Sequence, residues 1–361
     1  MSARILGIGL AAPARTMDQD FAAAMATPLC TVTTSQARTL ARIYRATRIE
    51  RRASVVLGVN GTAQDPAAFY TPPASDAERG PSTASRIAEY GIAAPRLATT
   101  AAADALARAG VGARGITHLV TASCTGFSAP GFDTDLVRTL GLDASVERTH
   151  IGFMGCHAAV NAMRIARAIA ISDPRARVLL CCVEICSVHL QYGWDVGRVV
   201  ANALFADGAG AAVVSSSADS GCACIEATAS RLLADDPEAM TWSIGDAGFE
   251  MTLAARVPDL IERAIAPWLT DWLGMHGLGA GDVASWAAHP GGPRVLDAVE
   301  RALALAPGAL DTSRAVLREH GNMSSATLLY ILDRLLADPA SRPCVAAAFG
   351  PGLWGEAALL V

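Results

Sequence analysis

Three separated segments carry side chains that could do chemistry together: Gly155-Cys156 at the end of an apolar run, His289-Pro290-Gly291-Gly292-Pro293, and Gly321-Asn322-Met323-Ser324-Ser325. They supply a thiol, an imidazole and a carboxamide, in that order along the chain. A thiol can hold an acyl group as a thioester. An imidazole and an amide that donate to one carbonyl oxygen can stabilise the enolate left when a malonyl thioester loses CO2. Together these are the parts of a decarboxylative Claisen condensation. Cysteine proteases also combine Cys, His and Asn, but not within these flanking residues.

Each group has to be placed by its neighbours. The run Gly152-Phe-Met-Gly-Cys-His-Ala-Ala-Val-Asn161 puts Cys156 where an apolar stretch meets a helix. Unpaired N–H groups and the positive dipole end of a first helical turn are expected to favour thiolate over thiol. His157 follows directly. Adjacent helical positions face different directions, so it is expected to bond locally rather than act as the base. His289 ends the apolar stretch Val283-Ala-Ser-Trp-Ala-Ala288 and precedes a Pro-Gly-Gly-Pro turn. Asn322 lies just ahead of a helix predicted to end at Leu336, where an asparagine also serves as N-cap or turn residue. Taken singly, each group has a plainer reading: a buried cysteine, a structural histidine, a capping asparagine.

The elements that position them alternate, which predicts an α/β architecture. Strands are expected at 117–123, 177–184, 222–227, 282–288, 345–349 and 357–361, and after Phe205. Helices are expected at 97–109, 161–171, 258–275, 294–304 and 324–336. A Ser/Asp/Gly linker near residue 221 precedes a restart of the pattern. It divides the chain into 1–220, with Cys156, and 221–361, with His289 and Asn322. Residues 60–84, rich in Gly and Pro, read as a long surface loop.

The chain has 361 residues, 52% of them hydrophobic and 17% charged, enough for a large core and for surface buried between halves or subunits. No apolar run approaches the roughly 20 residues of a membrane helix. The stretch Ile5 to Pro13 is broken by Gly7 and Gly9 and reads as the first strand of a cytoplasmic protein. A net charge of −5 argues against nucleic acid as a partner. The nine cysteines lie mostly in apolar segments, as buried reduced thiols would. Cys222 and Cys224 lack further ligands nearby, so strand packing is preferred to a metal site.

The flanks of the three groups resemble those of the type III polyketide synthases, the chalcone and stilbene synthase-like enzymes, from about residue 40 onward. His-Pro-Gly-Gly-Pro is reproduced whole, as is Gly-Asn-Met-Ser-Ser-Ala. The resemblance implies a thiolase-like αβαβα layered fold built from two similar halves. It implies Cys156 as nucleophile, loaded from an acyl-CoA, with His289 and Asn322 holding the thioester carbonyl of malonyl-CoA. It also implies a homodimer, and no metal, nicotinamide or flavin. Phe205 and Met251 fall at two gatekeeping positions between the CoA tunnel and the cavity. Cys124 opens a loop that reaches toward the partner subunit, with Ala129 lending a wall there. Cys186, His189, Trp242 and Ser324 fall at further substrate-facing positions. Arg45, Arg48, Arg51 and Arg52 form a basic segment that in the family helps hold CoA phosphates; the same run also reads as a solvated helix face.

Departures from the family pattern bear on the product. Ala348 replaces the first glycine of a C-terminal Gly-Phe-Gly-Pro-Gly loop. His189 and Trp242 stand where small or hydroxylated residues are usual, so fewer extensions, or a pocket turned toward another starter, are expected. Met-Gly-Cys-His is bacterial in style and points to pyrones, resorcinols or phloroglucinols rather than flavonoid chalcones. A ketoacyl synthase III-like enzyme uses the same three residue types, but with His-Gln-Ala-Asn and Gly-Asn-Thr-Ser flanks and a carrier-protein substrate. Hydroxymethylglutaryl-CoA synthase needs a catalytic Glu, for which Glu184 is the best stray candidate. An inactive thiolase-fold interaction protein would not require all three groups with their flanks.

Overall fold

The strand Arg177–Ile185 explains why the core has more than one layer. Its even-numbered Val178, Leu180 and Cys182 face one cluster, and Leu179, Cys181, Val183 and Ile185 face another. Both faces are buried, which is why the segment reads as a continuous apolar run. The computed structural model describes residues 2–56, 69–75, 77–217 and 221–361. Among these, nine strands form one sheet in the order Ser285–Ala288, Cys344–Gly350, Trp354–Leu360, Ala223–Leu232, Ala3–Ala11, Asp207–Ser215, Arg177–Ile185, His118–Ser123, Glu147–Gly152. The joint between two similar runs is short: Ala3, Arg4 and Ile5 pair antiparallel with Ile225, Cys224 and Ala223. Outward from it, each run makes two antiparallel pairings and then turns parallel.

Helices fill the space between and outside the runs. Ala158–Ser172 and Ala326–Leu336 share a core with strand residues of both runs, such as Leu180 and Ala346. Thr83–Ala109 covers the outer face of one run, and Val257–Gly274 with Pro293–Ala302 covers the other. The layering is αβαβα, as the resemblance implied. Cys124, Cys186 and His289 follow the C-terminal ends of parallel strands, and Cys156 follows another a short turn later. Ligand sites of α/β proteins gather at such ends.

Several boundaries differ from the sequence reading. The helix expected from Leu97 starts at Thr83, because the Ser82 side chain accepts from the Ser85 N–H and caps it there. The strand expected from Asp282 starts at Ser285, after a turn at Ala280–Asp282. Of the segment 60–84, residues 60–68 and 76 lie outside the described residues; 69–75 and 77–82 are irregular, and the helix begins at Thr83. Helices Gln19–Cys30, Thr34–Ala46, Val196–Leu204 and Asp311–His320 were not foreseen, nor was the hairpin Met240–Gly245/Gly248–Leu253. Among the described residues no helix is long and apolar enough to cross a membrane.

Candidate active site

Cys156 sits in a single 3₁₀ turn, Gly155–His157, that leads from the strand Glu147–Gly152 into the helix Ala158–Ser172. The turn depends on Gly155. Its φ is +74°, and a Cβ there would lie 2.3 Å from Pro351 Cδ. Its N–H donates to Cys124 Sγ at 2.9 Å, tying the nucleophile's turn to the neighbouring loop. Gly155→Ala is expected to cost about 2–4 kcal/mol, through the left-handed backbone and the clash together. Urea denaturation checks this, and an unchanged midpoint refutes it.

The expectation of a preformed thiolate is corrected by burial. Cys156 is 7% exposed, and desolvation pushes its pKa up to about 12, with Glu184 adding to the rise. Hydrogen bonds from Ser324 and Asn322 and the residue's own N–H act the other way without prevailing. A helix end can favour the anion only where it outweighs the loss of water.

His289 extends the strand Ser285–Ala288, and its N–H donates to Ala347 O at 2.8 Å. The ring is fully buried, and neither nitrogen has a protein partner. Burial, helped by nearby His157, lowers its pKa to about 3, so the imidazole is neutral at physiological pH. Asn322 is fixed from both sides. Its N–H donates to Leu204 O and its carbonyl accepts from Ala206 N–H, each at 2.9 Å. Its Oδ1 accepts from Ser324 N–H at 2.8 Å, which leaves the NH2 to serve the site. Asn322 also forms a one-residue β-bridge with Phe205, the aromatic expected at a gatekeeping position.

Cys156, His289 and Asn322 line one cavity of about 30 Å³, together with Phe205, Met240 and Met251. Cys156, Phe205, Met240 and Met251 also border a larger chamber of about 110 Å³. Cys124, Cys186, His189, Trp242 and Ser324 line that chamber. Cys156 therefore stands at the junction of two spaces. Trp242 Nε1 donates to Cys124 O at 2.7 Å. His189 donates from Nε2 to Thr125 O and accepts at Nδ1 from Phe249 N–H. Burial lowers its pKa to about 4, consistent with this neutral tautomer.

The remaining expectations part company. Ala129 is exposed and borders a separate cavity with Arg148 and His150. Arg45, Arg48 and Arg51 lie at the surface and do not line the chamber. Arg52 is a correction: it is buried, and its Nη1 donates to the carbonyls of Asn202 and Phe205. Those carbonyls lie at the C-terminal end of the helix Val196–Leu204, where a cation completes orphaned acceptors rather than reaching a phosphate. His157 bonds locally, to Asn161 Oδ1 at 2.8 Å. Glu184 is structural here, accepting from Cys124 N–H, Thr125 and Ser325. Met17, Met25, Tyr70 and Met240 also line the chamber and were not singled out. They sit on elements whose sequences carry no motif. No cluster of three or more His, Cys, Asp or Glu among the described residues is placed to hold a metal.

Comparison with known proteins bears on the family and the fold. The family model described as chalcone and stilbene synthases, N-terminal domain, matches residues 1–218, and its C-terminal counterpart matches 225–361. The chain is 37% identical over 273 residues to a 1,3,6,8-tetrahydroxynaphthalene synthase of Streptomyces peucetius, covering 73% of this chain and 72% of that one. It is 34% identical over 250 residues to the alpha-pyrone synthesis polyketide synthase-like Pks18 of Mycobacterium tuberculosis. That match covers 67% of this chain and 64% of Pks18, just under two thirds of its length. PKS-I from the brown alga Ectocarpus siliculosus superposes with a TM-score of 0.92 at 32% identity, over 99% of this chain and 98% of that chain. The C-terminal type III polyketide synthase domain of Steely1 from Dictyostelium gives 0.90 at 25%, over 100% and 99%. With both family domains matched in sequence and the fold matched end to end, the chain belongs to the chalcone and stilbene synthase family.

Proposed function

We propose that the protein is a type III polyketide synthase that condenses malonyl-CoA iteratively onto an acyl-CoA starter held on Cys156. One observation carries the reading: a fully buried imidazole with both nitrogens unpartnered opens into the same small cavity as Cys156 and Asn322. Buried polar atoms without partners are rare, because each costs about 1–3 kcal/mol. They make sense where a substrate oxygen completes them.

Loading begins as a proton passes from Cys156 Sγ to His289 and the sulfur attacks the starter thioester; CoA leaves with the proton. Malonyl-CoA then places its thioester carbonyl between the His289 ring N–H and the Asn322 NH2. As the C–CO2 bond breaks, its electrons pass into an enolate held by those two donors. The carbanion attacks the Cys156 thioester, the sulfur leaves, and the lengthened chain returns for another cycle. Acyl-CoA and malonyl-CoA are the substrates, with no further cofactor. A homodimer is the working form, with Ala129 toward the partner subunit, and the cytoplasm is the compartment.

The family relatives make an alpha-pyrone or a tetrahydroxynaphthalene by name, and we place this product among pyrones, resorcinols and phloroglucinols. Incubation with malonyl-CoA and an acyl-CoA, beside a Cys156→Ala control, tests the activity by mass spectrometry. Cys156-dependent products spaced by acetate units support it. Condensation only from malonyl-acyl carrier protein refutes it in favour of a ketoacyl synthase III-like enzyme. Trp242 and His189 narrow the chamber, so Trp242→Ala is expected to add at least one acetate unit to the main product. An unchanged product length under matched conditions counts against that role.

A further inference from the structure

Asn322 does not hold its own backbone in place. Its N–H donates to Leu204 O and its carbonyl accepts from Ala206 N–H, so the amide sits where residues 204–206 sit. Those residues are the exit from the helix Val196–Leu204, and a helix end leaves its last four carbonyls without a partner inside the helix. We propose that Arg52 is a positioning residue for decarboxylation: it fixes residues 204–206, and through them the angle at which Asn322 presents its NH2 to the malonyl thioester. The inference rests on the condensing-enzyme reading and adds to it a residue that acts through another. The step served is the one in which the C–CO2 bond breaks, its electron pair enters the enolate, and CO2 leaves.

Three observations lead there. The first is where the carbonyls go. Those of Asn202 and Phe205 both accept from Arg52 Nη1, at 2.6 and 2.7 Å. That of Ala203 accepts from Gln19 Nε2 at 2.8 Å. That of Leu204 accepts from the Asn322 N–H itself. All four are taken, two of them by one guanidinium nitrogen. Without it, two carbonyls would turn toward other donors and carry residues 204–206 with them.

The second is that Arg52 also packs on the turn before the amide. Gly321, at φ +72°, leads into Asn322, and a Cβ there would lie 3.0 Å from Ala206 Cβ, 3.2 Å from Leu204 O and 3.3 Å from Arg52 Cβ. Arg52 thus meets both sides of the pairing that carries the amide. The third is that Arg52 is itself held. It is 5% exposed, on the strand Arg51–Ala53 that pairs with Thr16–Asp18. Its Cζ lies over the Tyr44 ring, 5.6 Å from the centre. A cation is favoured at a helix C-terminus, and one buried and tied this way is not free to follow a CoA phosphate.

The test compares full-length wild type with Arg52→Met, taking kcat/KM for CO2 release from malonyl-CoA and from malonyl-pantetheine, which carries no CoA phosphates. The substitution is expected to lower CO2 release about 10–100-fold, the scale of a displaced donor, and equally for both thioesters. Acylation of Cys156 by an acyl-CoA, read by intact-protein mass spectrometry, is expected to change less than about threefold, because loading does not use the Asn322 NH2. Added to Asn322→Asp, Arg52→Met is expected to cost less than about a further threefold, since the group it places is already gone. A residue that only stabilised the fold would cost the same in both backgrounds. If Arg52→Met does not fold, Arg52→Lys takes its place, with a loss of about three- to tenfold for the missing fork.

A loss confined to malonyl-CoA overturns the inference in favour of a phosphate contact. Unchanged CO2 release, a parallel fall in loading, or full additivity with Asn322→Asp also overturns it. Each of these leaves the condensing-enzyme reading intact. Failure of the wild-type protein to release CO2 from either thioester overturns both.

Discussion

Cys156→Ala protein is expected to form no acyl-enzyme and to make product at least about a thousandfold more slowly than wild type, yet still to release CO2 from malonyl-CoA. The two halves of the expectation have different causes. On the proposed mechanism, removing the sulfur removes the atom that holds the growing chain. Cys124 and Cys186 line the same chamber, and burial raises both thiols as it raises Cys156. Neither is accompanied by the His289 imidazole in the smaller cavity. Decarboxylation asks only for donors to the thioester oxygen, and these stay in place. Its pH dependence separates it further. Burial lowers His289 to about 3, so the neutral form is favoured and persists as pH falls from 8 to 5. CO2 release by Cys156→Ala is therefore expected to be flat over that range. An inflection near 6.5 would show an ordinary, solvated imidazole. Complete loss of CO2 release would assign the decarboxylating step to the thiol.

Asn322→Asp carries the second large effect, a loss of about 10²–10³-fold in malonyl-CoA decarboxylation, the usual cost of one oxyanion donor. The substitution is chosen for what it keeps. Oδ1 of Asn322 accepts from Ser324 N–H at 2.8 Å, and an aspartate oxygen can continue to do so. Only the NH2 is lost, and a negative charge comes to lie where enolate charge develops. His289→Ala is expected to lose a similar factor, and the double variant less than the product of the two, because the donors act on one oxygen. Acylation of Cys156 should survive Asn322→Asp better than decarboxylation does. If loading and CO2 release fall in parallel, Asn322 shapes the pocket rather than serving the enolate.

How much of this was legible in the sequence depended on whether short-range spacing or long-range packing decided the outcome. Cys156, His289 and Asn322 could be found because each lies in a tight turn whose glycines and prolines are dictated locally. Layering followed from runs such as 177–185, where burial on both faces leaves no polar alternation. Arg52 could not be read correctly: whether it meets a phosphate or a helix end depends on residues 150 positions away. The thiol's protonation was misjudged for a similar reason, since the helix terminus is visible in sequence and desolvation is not. The hairpin Met240–Gly245/Gly248–Leu253 was missed although its signal was present, since Met240, Trp242 and Ile244, then Phe249, Met251 and Leu253, fall at alternate positions; it delivers Met240, Trp242 and Met251 to the site. The helix Gln19–Cys30 carries Pro28 and little periodic signal.

The sulfur in the chamber wall makes its solvent quality chemically adjustable. Peroxide converts a thioether to a sulfoxide, turning an apolar surface into a strongly polar one. Oxidation of Met17, Met25, Met240 or Met251 would replace the oily lining beside Cys156 with dipoles that attract water. The nucleophile itself is sheltered, because a buried thiol with a pKa near 12 is scarcely ionised and reacts slowly with oxidants. Oxidative stress would thus rewrite which acyl groups the protein accepts before it removes the ability to accept any. Methionine sulfoxide reductases, which restore the thioether, would reset that choice.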